Sequence, residues 1–213
     1  MKTKREERRG ERRSSIVQTA SRFFLDNGYA GTTMSGIATQ LGGSKGTLWS
    51  YFSSKEELFA ACIEEKTEAF RAELVSVLDP AVPLRQAVEG FCLRFITRIR
   101  MPLSIELYRL LAGEGARAPE ASRIFYERGP GVVEALLTGF LSGHVEAGRL
   151  RRDPPLEMAQ VLMSLCTGNS HQRLLLGQPC SGHSWAAAPS PARVTELFFR
   201  MYGAEPDGPG APA

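Results

Sequence analysis

Residues 32–52 read TTMSGIATQLGGSKGTLWSYF, and their apolar spacing predicts two short helices joined by a glycine turn. Four apolar side chains recur at i, i+3, i+4 and i+7, which places them on one face of a first helix. They are Met34, Ile37, Ala38 and Leu41. Gly42 and Gly43 end this helix, because glycine readily adopts positive φ and is unfavourable inside a helix.

The second helix of this stretch is expected to turn Leu48 and Phe52 inward, with Ser44 as its N-cap. The side chains left exposed are small, hydroxyl-bearing, aromatic or basic. They are Lys45, Gly46, Thr47, Trp49, Ser50 and Tyr51. A short helix with such a face suits the major groove of DNA, although a plain corner in an all-α protein would show the same periodicity.

Positive charge is concentrated at the start of the chain. Residues 1–55 hold ten Lys and Arg against four acidic residues, whereas the whole chain has a net charge of only +3. Such a basic region typically binds nucleic acid, but a solvated tail would look alike. Residues 1–13 are expected to form a basic flexible arm, followed by a helix from Ser14 or Ser15 to Asn27-Gly28.

The rest of the chain shows helical apolar spacing and no alternation typical of strands. Ser54 and Glu57 form a capping-box pattern at the start of a long helix that ends near residue 78. We therefore expect an all-α protein. Its domains would be a three-helix head at 14–53, a helical body at 54–203 and a disordered Gly/Pro/Ala tail at 204–213.

Several functional classes are disfavoured by the sequence. No apolar run is long enough to span a membrane, and no signal peptide is evident, so a cytoplasmic protein without membrane contact is expected. The four cysteines are scattered and the three histidines lack ligand spacing, which argues against a metal site. Buried free thiols are favoured over a redox sensor. No catalytic constellation or cofactor motif appears, so no enzyme and no cofactor are expected.

The first third of the chain resembles the TetR family of bacterial transcription regulators. The resemblance rests on Phe24-x3-Gly28-Tyr29-x2-Thr32-Thr33, on Ile37-Ala38 and on SKGTLWSYFSSKEELF at 44–59. The body is similar to the C-terminal domain of AefR-like members. The residues that indicate this are Tyr108-Arg109-Leu110-Leu111, Glu114, Pro119-Glu120 and FYERGPG at 125–131.

This resemblance implies a homodimer that binds a palindromic double-stranded DNA operator and usually represses transcription. Thr33 and Lys55 would contact phosphates, and Trp49 and Tyr51 would lie against the DNA backbone. Lys45, Gly46, Thr47 and Ser50 occupy positions where the family approaches bases. The chain departs from the family pattern at Trp49, Tyr51 and Gly43, where tyrosine, histidine and a small apolar residue are usual. The last two body helices, about 155–176 and 191–202, would pair across the dimer axis.

An effector site for a small hydrophobic ligand is expected between the middle helices of the body. Nine residues are candidates for its lining, although ordinary core is the more common role for any one of them. They are Phe70, Phe91, Phe95, Leu107, Leu111, Phe140, Met163 and two polar residues, His144 and His171. The effector itself is unknown from the sequence. The alternative function is that of a dimeric helical interaction protein whose head does not bind DNA.

Overall fold

A computed structural model describes residues 3–42, 45–178 and 187–204 of the chain. These residues form ten α-helices and an isolated bridge between Leu150 and Gly203, without any strand among them. The helices are α1 (Lys4–Gly31), α2 (Met34–Gln40), α3 (Lys45–Trp49), α4 (Lys55–Val77), α5 (Leu84–Ile99), α6 (Pro102–Glu114), α7 (Pro119–Arg128), α8 (Pro130–Glu146), α9 (Pro155–Leu175) and α10 (Pro191–Tyr202). The all-α fold class expected from the sequence is confirmed.

The first helix begins ten residues earlier than expected. Thr3 is its N-cap, and its hydroxyl accepts a hydrogen bond from the Glu6 N–H while the Glu6 carboxylate accepts one from the Thr3 N–H. This capping box satisfies N–H groups that would otherwise lack partners, and most of the following residues favour helix. The expected start at Ser14 or Ser15 is therefore wrong, and described residues of the expected flexible arm are helical from Lys4 onward.

Gly28 interrupts α1 where the sequence predicted a helix end. Its torsion angles of φ 73° and ψ 167° lie in a region that is essentially restricted to glycine. The chain then turns, and Thr33 caps α2 by accepting a hydrogen bond from the Gly36 N–H at 3.1 Å. The predicted break and the predicted cap are both confirmed.

The chain divides into two compact units, of which the first comprises residues 1–69 and 106–131. Its core contains the inward faces of α1, α2 and α3 together with the start of α4 and the chain around α7. At its centre the Phe24, Tyr29 and Phe59 rings pack together, with Phe59 edge-on to the other two at centroid distances of 4.9 and 5.0 Å. This aromatic packing joins α1 to α4, the two helices between which α2 and α3 lie in the chain.

The second unit comprises residues 70–105 and 132–213. Its core is formed by side chains of α5, α8, α9 and α10, with the end of α4. Phe91, Leu137, Leu162, Cys166 and Phe198 are all completely buried there. Because α5, α9 and α10 contact one another, the second unit packs as a helical bundle.

The division into units differs from the boundary expected between residues 53 and 54. The first half of α4 belongs to the first unit, because Leu58, Phe59, Cys62 and Ile63 are buried in that core. Helices α4 and α6 each pass from one unit to the other along the chain. A functional division into head and body remains a prediction. Nearly all of the tail, residues 205–213, lies outside the described residues.

Candidate nucleic-acid interface

The first unit presents α3 on a turn whose geometry follows from its sequence. Gly42 has a φ of 62°, the left-handed conformation that glycine adopts at low cost and that allows the chain to leave α2. Leu48 and Phe52 are each 1% exposed, so they anchor α3 and the turn after it in the core. The predicted inward face of this helix is confirmed.

The opposite face of α3 and the turn after it hold most of the residues predicted to contact DNA. Gly46, Trp49 and Ser50 are exposed, and Thr47 and Tyr51 are half-buried. The Trp49 side chain is 42% exposed, which is unusual for so large an apolar group and leaves the indole available to a partner. Ser44 lies outside the described residues, and for Lys45 the structure describes only a backbone that begins α3.

The N-terminal segment of α1 lies beside the chain that follows α3. The guanidinium of Arg9 lies 5.7 Å from the centroid of the Tyr51 ring, and that of Arg13 lies 5.1 Å from the Phe52 ring. A cation over an aromatic face is attracted by its negative electrostatic potential. These two contacts therefore attach the early turns of α1 to the end of the candidate recognition helix.

Lys55, predicted to contact a phosphate, has partners within the protein. Its ammonium donates to the carbonyl oxygens of Tyr29 at 2.9 Å and of Thr32 at 3.1 Å, and lies 4.2 Å from the Tyr29 ring centroid. It thus places positive charge at the carbonyl end of α1, where a cation is favourable. Phosphate contact by Lys55 remains a prediction, whereas the stabilisation of the α1–α2 corner was not foreseen.

Glu114, at the end of α6, holds the same corner from another side. Its carboxylate accepts hydrogen bonds from the Tyr29 N–H at 2.8 Å and from the Ala30 N–H at 3.2 Å. The other carboxylate oxygen lies so close to Gly28 that a Cβ at that position would overlap it. The sequence pointed to Glu114 only as part of the family resemblance, because the contact joins residues 85 positions apart.

The predicted capping box before α4 forms with one change of partner. The Ser54 hydroxyl accepts from the Glu57 N–H at 3.1 Å, as expected. The Glu57 carboxylate, however, accepts from both the N–H and the hydroxyl of Ser53 at 2.7 Å. These hydrogen bonds to Ser53 hold the pKa of Glu57 below its usual value, so α4 starts with a charged cap directly after Phe52.

The residues predicted to line an effector site are divided between the two units. Leu107 and Leu111 pack in the core of the first unit. The other seven belong to the second unit. They are Phe70, Phe91, Phe95, Phe140, His144, Met163 and His171. Phe91 and Phe95 stack at 5.5 Å, and all seven are buried except Met163, which is half-buried.

His144 is the most informative of these residues. It is 2% exposed, and its ring packs against Phe140 with a centroid distance of 4.5 Å. Its Nδ1 atom is buried and has no hydrogen-bond partner among the described residues. Burial lowers the pKa of His144, which favours the neutral imidazole. A buried neutral ring with an unsatisfied nitrogen suits a ligand that offers one polar group.

The three described cysteines, Cys62, Cys92 and Cys166, are buried free thiols. Burial raises the pKa of Cys62 to about 11, so that thiol is poorly reactive. Cys180 lies outside the described residues.

Across the described part of the chain, no group of three or more His, Cys, Asp or Glu residues could hold a metal ion. None of the described helices is long and apolar enough to cross a membrane.

Two family models match the chain. Residues 16–62 match the model described as bacterial regulatory proteins of the TetR family. Residues 86–204 match the C-terminal domain of AefR-like transcriptional repressors. The second match alone covers more than half of the chain, and α2 and α3 lie within the first. The chain is a helix-turn-helix transcription regulator, and it belongs to the TetR family with an AefR-like C-terminal domain.

Curated relatives agree with this assignment. The transcriptional repressor AcnR of Corynebacterium glutamicum is 26% identical over 172 residues, which cover 81% of this chain and 86% of AcnR. The transcriptional activator FasR of Mycolicibacterium smegmatis is 38% identical over 87 residues, a match that spans only 40% of FasR. Both are named HTH-type regulators, so the comparisons do not favour a head without DNA-binding function.

Solved structures show the same fold. The flavonoid-responsive regulator FrrA is 28% identical, with a TM-score of 0.74 over 91% of this chain and 98% of that one. A TetR-family regulator from Mesorhizobium loti gives the same TM-score and coverage at 24% identity. Regulators of this family bind DNA operators and act as dimers, and the family is not one of enzymes.

Proposed function

We propose that this protein is a cytoplasmic homodimeric repressor that binds a palindromic operator and is released by a small, mostly apolar ligand. The observation that carries the proposal is the exposed polar and aromatic face of α3, which Leu48 and Phe52 anchor from the opposite side. Thr33, Ser44 to Thr47 and Trp49 to Tyr51, with Lys55, form the proposed DNA-contacting set. Repression is favoured by the AefR-like repressor domain, although FasR is an activator.

The proposed DNA contacts divide into two kinds. Phosphate contacts position a protein on the duplex and give salt-dependent affinity, whereas contacts to base edges select the sequence. The Thr33 side chain is exposed at the start of α2, where the positive end of the helix dipole favours a phosphate. Trp49 and Tyr51 would pack against the sugar–phosphate backbone. Lys45, Gly46, Thr47 and Ser50 would lie nearest to the bases.

The proposed dimer uses the outer faces of α9 and α10. On α9 a shallow groove is lined by residues at i, i+3, i+4, i+7 and i+8, which share one face of the helix. They are Glu157, Gln160, Val161, Ser164 and Leu165. The neighbouring Leu156 is 47% exposed, and Met201 on α10 is 38% exposed. Such apolar exposure on a bundle is typical of an association surface. The partner would be a second copy of the chain, which would supply the second recognition helix.

We expect Val161→Glu to convert the dimer to monomers at micromolar concentration, because a carboxylate would be buried at the centre of the interface without a partner. Operator affinity should fall by at least tenfold, since one recognition helix would then bind alone. Light scattering coupled to gel filtration measures the mass directly. The matched control is Leu93→Glu, at a residue on α5 that is 53% exposed, and this variant should remain a dimer. A monomeric unmodified protein would contradict the proposed dimer.

The proposed effector site lies in the second unit, around His144, Phe140 and Phe91. Apolar side chains would enclose most of the ligand, and the buried Nδ1 of His144 would provide one polar contact. FrrA is named as a flavonoid-responsive regulator, and its similarity to this chain supports the proposal of a small organic ligand. Leu107 and Leu111 lie in the first unit, so the proposed site depends on them less than on the residues of the second unit.

Release from DNA would follow from linkage between the two sites. A ligand that binds more tightly to the conformation unable to bind DNA weakens DNA binding. The loss equals the difference in ligand-binding free energy between the two conformations, typically about 1–3 kcal/mol. Helix α4 runs from the first unit into the second, and α6 runs from the second into the first. Helix α6 ends at Glu114, whose carboxylate accepts hydrogen bonds from the Tyr29 and Ala30 N–H groups. A shift along α6 would therefore change the position of α2 and α3.

A gel-shift titration on the DNA upstream of the protein's own gene tests the proposed function. We expect a retarded complex at nanomolar protein that survives a large excess of random DNA, and weaker binding as salt rises. Adding candidate apolar ligands to the preformed complex then identifies the effector by release of the DNA. Equal affinity for upstream and random DNA would lead to a genome-wide selection of binding sites. If that selection also fails, the proposal of a sequence-specific regulator is contradicted.

A further inference from the structure

We propose that the first three turns of α1 form a second DNA-binding element, which binds the sugar–phosphate backbone bordering the groove that α3 enters. This inference rests on the proposed DNA binding of α3 and deepens it. The segment lies outside the part of the chain that matches the family's DNA-binding head, which begins at residue 16. Helix geometry decides where its charged side chains lie.

Charges of opposite sign lie on opposite sides of this segment. With a rotation of about 100° per residue, its six basic side chains occupy one half of the helix circumference. They are Lys4, Arg5, Arg8, Arg9, Arg12 and Arg13. The acidic residues Glu6, Glu7 and Glu11 occupy the other half. A helix divided in this way can approach a polyanion with its basic side while its carboxylates face away.

The basic side is connected to the recognition helix by two of its own residues. Arg9 and Arg13 lie over the Tyr51 and Phe52 rings, at the end of α3. Arg5, Arg8 and Arg12 lie farther around the same side at i, i+3 and i+7, which aligns them in one row. Over seven residues this row is about 10 Å long, which corresponds to about two to three phosphates of one DNA strand.

These three arginines are available to an outside partner. Arg5 and Arg8 are exposed and Arg12 is half-buried, and within the described ranges none of the three is part of an ion pair. The arrangement is also unfavourable for the isolated helix. Lys4 and Arg5 lie at its positive end, where Glu6 and Glu7 offset part of the repulsion, and basic residues repeat at i and i+4. Binding to phosphates would offset the repulsion that remains among the basic side chains.

The test compares three variants of the full-length protein on operator DNA across a range of salt concentrations. The affinity of the dimer falls as salt rises, and the slope of log affinity against log salt is negative. Replacing Arg5, Arg8 and Arg12 with glutamine should reduce the magnitude of this slope by about 3 to 5. It should also shorten the hydroxyl-radical footprint at both ends while leaving base preference unchanged. The charge-matched control replaces three exposed arginines outside this segment with glutamine, namely Arg71, Arg149 and Arg152. It should retain the slope and footprint of the unmodified protein.

The third variant, Gly10→Pro, keeps every charge but disrupts the helix. Apart from its chain neighbours and the backbone of its own helix, a Cβ added at Gly10 would meet no atom within 4 Å, so the substitution acts through the helix backbone. We expect it to reduce the slope and shorten the footprint as the triple variant does. If it behaves as the unmodified protein, the arginines act as a disordered arm and the helical element is refuted. An unchanged slope in the triple variant refutes any DNA contact here. Failure of the unmodified protein to bind operator instead overturns the proposed function.

Discussion

Lys45→Ala is expected to weaken operator binding roughly 5- to 150-fold at each half-site, while binding to random DNA falls much less. Lys45 begins α3, and we propose that it reads the O6 and N7 acceptors of guanine in the major groove. A contact of this kind exists only when the correct base is present. Its loss therefore lowers the preference for the operator, in addition to any loss of general attraction to phosphates.

The measurement is fluorescence anisotropy on the operator and on a shuffled duplex at one salt concentration. Arg71→Ala is the control, because it removes one positive charge from an exposed position on α4. That variant should reduce both affinities slightly and equally. If Lys45→Ala also reduces them equally, Lys45 contacts phosphate only, and sequence selection depends on Thr47 and Ser50.

Gly28→Ala is expected to lower the free energy of unfolding by about 2–5 kcal/mol. Two costs combine at this position. The torsion angles of Gly28 are strained for any residue with a Cβ, and the new methyl group would displace the Glu114 carboxylate from the Tyr29 and Ala30 N–H groups. Denaturant unfolding followed by circular dichroism measures the loss. DNA affinity should fall as well, because the α1–α2 corner sets the position of α3.

Gly31→Ala is the matched control for this substitution. It lies three residues farther along, without a positive φ, and the nearest atom to an added Cβ is the Asn27 Cβ at 3.9 Å. It should leave stability unchanged or raised. The Glu114→Ala variant separates the two costs. The double variant with Gly28→Ala should lose less free energy of unfolding than the two single variants added together. Strict additivity would show that the carboxylate contact contributes nothing to the effect.

The parts of the fold that depend on local sequence could be predicted. The apolar spacing of Ile37 and Ala38, the cap at Thr33 and the glycine turn all involve residues within one helical turn of each other, and the structure contains each of them. The start of α1 could also have been found, because Thr3 and Glu6 match a capping box. The high charge density of this segment indicates only that it lacks a packed apolar face. A helix, however, needs no packed face when its ends and propensities suffice.

The parts of the site that depend on tertiary contacts could not be predicted from spacing. Lys55 and Glu114 approach the same corner from positions 26 and 85 residues away from Tyr29, and both bind backbone atoms, which leave no pattern in a sequence. Leu107 and Leu111 have the same helical spacing as residues of the second unit. Nothing in that spacing shows that they pack in the core of the first unit.

The continuity of α1 from Lys4 to Asn27 has a consequence for how the protein can change over generations. An arm tolerates insertions and deletions, because its reach changes little with one residue. A helix joined to the head does not, since one inserted codon near Gly10 would rotate every preceding side chain by about 100°. The glutamates would then turn toward the position of the arginines. Selection on this segment should consequently permit exchanges of Arg for Lys but reject changes in its length.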